Sequence, residues 1–172
     1  TTRMGDLTGP LRDRFGIIFK LNYYTIEELE KIVERTSSVF NCEITNEASI
    51  ELATRSRGTP RIANRLFKRV RDFALVMGSG HIDLDIAKLS LDKLKVDPLG
   101  LDETDYNFLL AIIEKFNGGP VGIEAIASSI GEEVTTIEDV YEPYLLQNGF
   151  LKRTSRGRIV TDKAYKHLNI EK

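Results

Sequence analysis

The sequence predicts a mainly α protein in which a small four-helix unit is followed by a winged helix-turn-helix domain with a β-hairpin wing. Three observations support this fold class. Apolar residues recur at helical spacing between helix-capping residues over most of the 172 residues. The alternation that is typical of strands is mainly found in residues 150–160. A turn-forming segment, Asp97-Pro98-Leu99-Gly100, divides the helical segments into two groups.

The first group of helices follows residues 1–20, which we interpret as a loop and a short helix leading into Ile17-Ile18-Phe19, the terminal strand of a sheet that is otherwise missing. Thr25 and Glu28 form a capping box that begins a helix running to about Phe40. Three further helices are predicted at about 46–56, at 60–77 and from Asp83 onward. Residues 21–95 therefore form the four-helix unit, and residues 96–100 form a linker.

The second group contains a strongly apolar helix at 101–118, a short helix at 122–130 and a third at about 135–147. Residues 150–160 then alternate as a β-hairpin with basic residues at its tip, and Thr161 caps a final short helix. Three helices followed by a hairpin are typical of the winged helix-turn-helix, so we assign residues 101–172 to this domain.

Charge is distributed unevenly along the chain, although the net charge of −2 gives no overall attraction to nucleic acid or membrane. Residues 53–71 hold seven Lys or Arg side chains and no acidic one. Residues 101–149 carry ten acidic residues and a single basic one, whereas residues 150–172 carry seven basic and two acidic residues. Two separate basic zones indicate two separate anionic partners.

The residue types of many catalytic and metal sites are scarce. Cys42 is the only cysteine, so an intrachain disulfide is excluded, and a buried apolar thiol is the simplest interpretation. His81 and His167 share no ligand spacing, and we predict no metal site. No apolar run approaches the roughly 18 residues of a membrane span, and no signal peptide is present. We expect an intracellular fragment that begins inside a larger domain.

A helix start with a cation in its first turn lies at residues 58–65. Gly58 can end the preceding helix in a left-handed conformation, Thr59 is a good N-cap, and Pro60 fits the first helical position. Arg61 then lies beside free backbone N–H groups at the positive end of the helix dipole. This arrangement is suited to binding an anion such as phosphate.

A second arginine-bearing segment, Pro10 to Gly16, contains Arg12 and Arg14 on either side of Asp13. One interpretation is an ordinary ion-pairing turn. The other is an arginine finger, a guanidinium offered to the γ-phosphate of a nucleotide bound by a neighbouring subunit. The local sequence alone leaves both interpretations open.

The predicted wing carries four cations within seven residues, namely Lys152, Arg153, Arg156 and Arg158. They indicate contact with DNA phosphates, although a solvated hairpin that prevents edge aggregation would have a similar composition. The preceding helix has five acidic residues and no basic ones between Glu132 and Gln147, so it would repel a duplex. We therefore expect DNA contact through the wing without reading of bases.

Several of these motifs, taken in order, resemble the RuvB family of bacterial AAA+ motors, which drive branch migration of Holliday junctions. The resemblance covers essentially the whole chain. Its motifs are Thr1-Thr2-Arg3, Leu7 to Gly16, Gly58 to Arg65, Arg69 to Ala74, Phe116 to Gly122, Ile137 to Leu145 and Gly149 to Arg158. It implies that residues 1–20 are the end of an AAA+ ATPase core, residues 21–95 the AAA+ helical lid and residues 101–172 the DNA-binding domain.

The resemblance also implies roles for individual residues. Thr2, or alternatively Thr1, is the polar sensor 1 group, and Arg14, with Arg12 as second choice, is the arginine finger that acts in trans. Arg61 is the sensor 2 residue. Further nucleotide contacts are implied for Tyr23, Tyr24 and Pro60, and DNA contacts for Arg153, Arg156 and Arg158. The implied ligands and partners are ATP or ADP with Mg²⁺, duplex DNA at Holliday junctions, RuvA, RuvC and five further copies in a homo-hexamer in the bacterial cytoplasm.

The sequence departs from this family in one respect, because it contains neither the phosphate loop G-x-x-x-x-G-K-[ST] nor an acidic Walker B motif. We therefore expect that the chain alone neither binds ATP tightly nor hydrolyses it, and that ATP-dependent helicase or translocase activity belongs to the intact protein. Two other classes are weighed against the motor. These are a stand-alone winged-helix transcription regulator and a protein-interaction module that uses the acidic face.

Overall fold

The computed structural model describes residues 8–17, 19, 22–78 and 80–171, except for the side chain of Arg12. The predicted sensor 1 residues Thr1 and Thr2 lie outside the described residues. The first half of the described chain contains five helices: α1 (Gly9–Arg14), α2 (Ile26–Phe40), α3 (Asn46–Thr54), α4 (Pro60–Val76) and α5 (Leu84–Lys93). Helices α2 to α5 form the predicted four-helix unit, so this part of the fold class is confirmed.

The starts of these helices follow the predicted capping chemistry. Thr25 accepts a hydrogen bond from the N–H of Glu28, and the Glu28 carboxylate accepts one from the N–H of Thr25, which completes the capping box. Asp83 caps α5 by accepting from the N–H of Ile86. The core of the unit contains Leu29, Leu52 and Phe67, which are all fully buried. Cys42 is also buried, as expected.

The predicted strand at Ile17-Ile18-Phe19 is absent from the described residues. Ile17 and Phe19 have no strand conformation and are 71% and 81% exposed, while Ile18 lies outside the described residues. A strand requires a neighbour for its hydrogen bonds, and the described chain offers none there. The strand was predicted as the last strand of a sheet that this sequence otherwise lacks, so it stays a prediction.

The second half contains α6 (Glu103–Leu110), α7 (Ile123–Ile130), α8 (Val134–Thr136), α9 (Glu142–Gln147) and α10 (Asp162–His167), together with strands β1 (Leu151–Thr154) and β2 (Gly157–Val160). A π-helical turn, Ala111–Lys115, extends α6, and another, Ile137–Tyr141, joins α8 to α9. The three helical segments and the hairpin confirm the winged helix-turn-helix. Its core includes Phe108, Ile126 and Phe150, all fully buried.

The helix predicted over about 135–147 is present as an unbroken helical run over residues 134–147, whose middle part, Ile137–Tyr141, is π-helical. Pro143 lies in the first turn of α9 and has no N–H with which to continue the hydrogen-bond ladder of an α-helix. A wider turn just before a proline accommodates this missing donor. The π-helical turn determines the direction of Glu142, the first residue of α9, which is fully buried.

The wing is a two-stranded antiparallel hairpin in which Arg153 lies opposite Arg158 and Thr154 lies opposite Gly157. The backbone of Val121 adds a further short pairing on the side of β2. The N–H of Val121 donates to the carbonyl of Arg158 at 3.0 Å, and the N–H of Arg158 donates back at 2.8 Å. Gly157, at φ +133°, permits this approach because a Cβ there would overlap the Val121 backbone. Strand β2 is therefore fixed to the domain close to the turn, and only the turn residues Ser155 and Arg156 extend beyond this support.

The segment predicted as a linker, residues 96–100, is held by hydrogen bonds in the structure. One oxygen of the Asp97 carboxylate accepts from the N–H groups of Leu99 and Leu101, both at 2.8 Å. Its other oxygen lies 2.6 Å from Nε2 of His167 and accepts from the hydroxyl of Tyr106 at 3.0 Å. The segment is thus anchored to both α6 and α10.

Candidate functional site

The start of α4 has the features of an anion site. Thr59 occupies the N-cap position, but its side chain accepts no cap hydrogen bond, and its hydroxyl donates to the carbonyl of Arg57 at 3.2 Å. Pro60 is the first helical residue, and the first turn contains no acidic side chain. Arg61 is exposed and has no carboxylate partner among the described residues. The positive end of this helix is therefore left uncompensated by the described protein.

Tyr23 and Tyr24 lie next to this helix start. The N–H of Tyr24 donates to the carbonyl of Gly58 at 2.9 Å, and Gly58, at φ +67°, packs closely on the Cβ of Tyr23. The two tyrosine side chains are about half exposed and line a cavity of about 170 Å³ together with Gly58. The structure thus places both residues beside the turn that leads into Pro60 and Arg61.

Arg14 is the last residue of α1, and its side chain is exposed. Within the described part of the chain, no hydrogen bond or ion pair joins residues 8–17 to the four-helix unit. The structure therefore does not bring Arg14 and Arg61 together. It also gives neither guanidinium an internal carboxylate partner among the described residues.

The basic zone at residues 53–71 divides into internal and external cations. Arg55 and Arg57 are buried, and Arg71 pairs with the adjacent Asp72 at 2.8 Å. The remaining four, Arg61, Arg65, Lys68 and Arg69, are exposed on α4. About half of the charge that we attributed to an external partner is therefore used within the protein.

The three arginines predicted to contact DNA have different surroundings. Arg156 lies in the two-residue turn of the wing and is exposed. Arg153 is 56% exposed and donates to both carboxylate oxygens of Glu142, at 2.5 and 3.3 Å. Arg158 is only 12% exposed and also donates to both oxygens, at 2.7 and 3.1 Å. The Arg156 side chain can thus contact an external anion freely, and that of Arg153 can do so in part. The Arg158 side chain is mostly buried and paired with Glu142.

Glu142 is fully buried between these two guanidiniums. Burial by itself raises the pKa of a carboxyl group, but the hydrogen bonds and charges of Arg158 and Arg153 outweigh burial and hold the pKa of Glu142 below its ordinary value. The sequence analysis counted Glu142 among the acidic residues that repel DNA. Its position immediately before Pro143 was the only local signal that it differs from the others.

Asp105 is a second fully buried carboxylate, at the contact between the four-helix unit and the winged helix. Arg57 donates to both of its oxygens, and the N–H of Asp102 donates to one of them at 2.8 Å. Here burial is the larger effect and outweighs the Arg57 charge, so that the pKa of Asp105 is raised to about 7. The sequence analysis did not identify this pair.

Two further properties bear on function. Among the described residues, no group of three or more His, Cys, Asp or Glu side chains is arranged to hold a metal ion. None of the described helices has the length and apolar character that crossing a membrane requires.

Comparisons with known proteins agree with this architecture. Residues 24–97 match the family model described as the RuvB AAA lid domain, and residues 98–169 match the RuvB C-terminal winged helix domain. A structure of Thermotoga maritima RuvB, titled a Holliday junction branch migration motor, is 54% identical with a TM-score of 0.93. Two single-residue mutants of that protein match at 53% identity and the same TM-score.

The aligned region covers 98% of this chain and 56% of the Thermotoga protein, so the chain spans a little over half the length of the relatives that it matches. The family models together span more than two thirds of the chain. The chain therefore belongs to the RuvB family, of which it contains the AAA lid domain and the C-terminal winged helix domain.

Proposed function

We propose that this chain is the nucleotide-sensing and DNA-contacting part of an ATP-driven motor that promotes branch migration of Holliday junctions. The observation that carries the proposal is the match to the Thermotoga motor over 98% of the chain. The geometry supports it, because an exposed arginine lies at an uncapped helix start and another lies at the tip of the wing.

The nucleotide side of the proposal centres on Arg61. A helix start without acidic residues and with an exposed guanidinium fits the phosphate groups of ATP or ADP. Tyr23, Tyr24 and Pro60 lie close enough to Gly58 and Arg61 to contact the rest of the nucleotide. Thr2 or Thr1 would act as sensor 1. The phosphate loop and the ligands for Mg²⁺ belong to the ATPase core of a longer protein.

Arg14, with Arg12 as the alternative, acts on a neighbouring subunit in this proposal. The homo-hexamer places the Arg14 guanidinium against the γ-phosphate held by the next copy, where it stabilises charge in the transition state. The exposure of Arg14 and its lack of a carboxylate partner among the described residues support this role.

The DNA side centres on the wing. Arg156 and, in part, Arg153 contact phosphates of duplex DNA, while Arg158 holds the wing through Glu142. Because Glu138 lies beside the wing and Asp139 follows it on the exposed surface, the acidic segment disfavours insertion into the major groove and reading of bases. RuvA and RuvC are the proposed protein partners at the junction, in the bacterial cytoplasm.

The arginine finger is tested by Arg14→Ala in a full-length protein that contains this sequence. We expect ATP hydrolysis to fall by about 10³-fold or more, in the range known for such fingers, with ATP binding largely retained. Arg35→Ala, at an exposed arginine of α2, is the matched control and should hydrolyse ATP normally. Normal turnover by Arg14→Ala would reject the assignment.

The DNA contact is tested by titrating the chain with random-sequence duplexes at several salt concentrations. Arg156→Ala should weaken binding equally for all sequences and reduce the slope of log K against log salt by about one. Lys166→Ala removes an exposed cation of the same domain outside the wing, and we expect a smaller change. A single preferred sequence would favour a transcription regulator, and no binding at low salt would favour a protein-interaction module.

A further inference from the structure

We propose that Arg57 is a positioning residue that couples the start of α4 to the winged-helix domain. In this inference, which rests on the proposed function, a change in the position of Arg61 reaches the wing through the contact of Arg57 with Asp105 and the carbonyl of Gly100. Neither the sequence analysis nor the family match assigns a role to this residue.

The backbone of Arg57 is the first observation. Arg57 has φ +55° and is followed by Gly58 at φ +67°, so two consecutive left-handed residues turn the chain from α3 into α4. A left-handed conformation costs a non-glycine residue about 1–2 kcal/mol. Such a conformation persists where surrounding contacts impose it, and the contacts of the Arg57 side chain are of this kind.

Every polar partner of the Arg57 side chain lies in the second half of the chain. Nε donates to the carbonyl of Gly100 at 2.6 Å, and the two terminal nitrogens donate to the buried carboxylate of Asp105. The guanidinium also lies over the ring of Tyr144, 4.9 Å from its centroid. Arg57 thus extends from the lid into the winged-helix domain, where it is nearly fully enclosed.

Further contacts join the loop of residues 55–58 to residues 96–100. Arg55 donates to the carbonyl of Val96 at 2.6 Å, and a Cβ added to Gly100 would lie only 2.6 Å from the Arg55 carbonyl oxygen. Tyr144 donates its hydroxyl to the carbonyl of Leu99 at 2.5 Å. Residues 96–100 are therefore in close contact with the loop of residues 55–58, which argues against free bending at this segment.

At its C-terminal end, the loop of residues 55–58 leads directly into α4, the helix that carries Arg61. Gly58, next to Arg57, accepts the hydrogen bond from Tyr24, and Arg61 follows in the first turn of α4. Tyr23, Arg57 and Tyr144 line one cavity. A displacement of the α4 start consequently moves a guanidinium that is held by the winged helix.

The functional test compares Arg57→Gln with Lys95→Gln in a full-length protein that contains this sequence. Lys95 pairs with Glu103 across the same domain boundary at 2.7 Å, but both side chains are about two-thirds exposed. We expect Arg57→Gln to bind ATP and duplex DNA within about two-fold of wild type and to lose at least ten-fold in branch migration per ATP hydrolysed. Lys95→Gln should keep the wild-type ratio.

A second measurement is independent of motor activity and uses the chain itself. Paramagnetic labels at Val39→Cys in the lid and Ser155→Cys in the wing, in a Cys42→Ala background, report the distance between the domains. We expect a narrow distribution in the parent chain, a clearly broader one with Arg57→Gln, and an intermediate one with Asp105→Asn, because an amide oxygen can still accept from Arg57.

The outcomes separate the two proposals. An unchanged distance distribution in folded Arg57→Gln, judged by its circular dichroism, would overturn the coupling role. A wild-type ratio of branch migration to ATP hydrolysis in that variant would overturn it as well. If the full-length wild type hydrolyses no ATP, the proposed motor function fails, and the distance measurement still decides whether Arg57 couples the domains.

Discussion

Asp105 and Glu142 are both completely buried carboxylates paired with arginine, yet their pKa values are shifted in opposite directions. Asp105 faces one guanidinium and one backbone N–H, and burial raises its pKa to about 7. Glu142 faces two guanidiniums, each donating to both oxygens, and its pKa is lowered. The deeper burial of Asp105 and the second guanidinium at Glu142 both contribute to this difference in ionisation.

The difference separates two structural roles. The cluster of Glu142, Arg153 and Arg158 lies within one domain and fixes the wing. The pair of Arg57 and Asp105 connects two domains with less electrostatic compensation. The first cluster therefore stabilises one domain internally, whereas the second pair responds to a relative displacement of the two domains.

The largest expected effect comes from Glu142→Gln, which removes the charge at nearly constant volume. The amide leaves one acceptor oxygen but no negative charge for the buried guanidinium of Arg158 and for Arg153, and we expect the free energy of unfolding to fall by about 3–5 kcal/mol. Urea denaturation of the chain measures this. Glu138→Gln, at a partly exposed carboxylate 3.6 Å from Arg158, should cost less than about 1 kcal/mol. Equal losses in the two variants would contradict the role given to Glu142.

A smaller effect is expected from Gly100→Ala, which disturbs the Arg57 contact without changing any charge. Gly100 and Gly131 have similar left-handed backbones, at φ +77° and +74°, but only Gly100 has another group close to the position of a Cβ. Strain alone should cost each variant about 1–2 kcal/mol. Displacement of the Arg55 carbonyl should add about 1 kcal/mol or more in Gly100→Ala.

Urea midpoints of the two alanine variants provide the comparison. If Gly100→Ala and Gly131→Ala unfold at the same midpoint, the close approach of residues 96–100 to the 55–58 loop does not contribute to stability.

The pH dependence of stability should have opposite signs at the two buried carboxylates. The folded state holds the Asp105 proton above its ordinary pKa of 3.8, so this group's contribution to stability decreases as pH rises from about 4 to 7. The contribution of Glu142 is present above its ordinary pKa of 4.5 and is lost as pH falls through the lowered value.

Relative to wild type, Asp105→Asn should therefore become more stable as the pH rises from about 4 to 7. Glu142→Gln should become more stable relative to wild type as the pH falls below about 4.5. A series of urea midpoints from pH 3 to 8 measures both differences. Arg57 and Asp102 face Asp105, and their substitution should alter its profile alone. Differences that stay constant with pH in both variants would contradict the opposite shifts.

Much of the fold follows from local sequence signals. The capping box at Thr25 and Glu28, the cap at Asp83 and the hairpin around Ser155 and Arg156 are decided by residues within a few positions of each other. The π-helical turn between α8 and α9 also has a local cause, because Pro143 lacks a backbone donor. The helical spacing of apolar residues on both sides of it made this signal easy to overlook.

The site could be predicted only in part. Arg61 and Arg156 are exposed at the local turns that the motifs indicated, and their roles stay predictions. Arg57 and Asp105 are 48 positions apart, and Arg158 and Glu142 are 16 apart. The local sequence does not distinguish an arginine that pairs with a distant buried carboxylate from an arginine that is exposed and able to bind a ligand.

The backbone pairing of Val121 with Arg158 has a practical consequence for protein engineering. It fixes β2 immediately after the turn, whereas Ser155 and Arg156 in the turn itself are exposed. Exposed turn tips on such a fixed support tolerate insertions and exchanges. The wing is therefore a suitable graft point, at which recognition peptides of different length or charge can be displayed without redesign of the helices beneath.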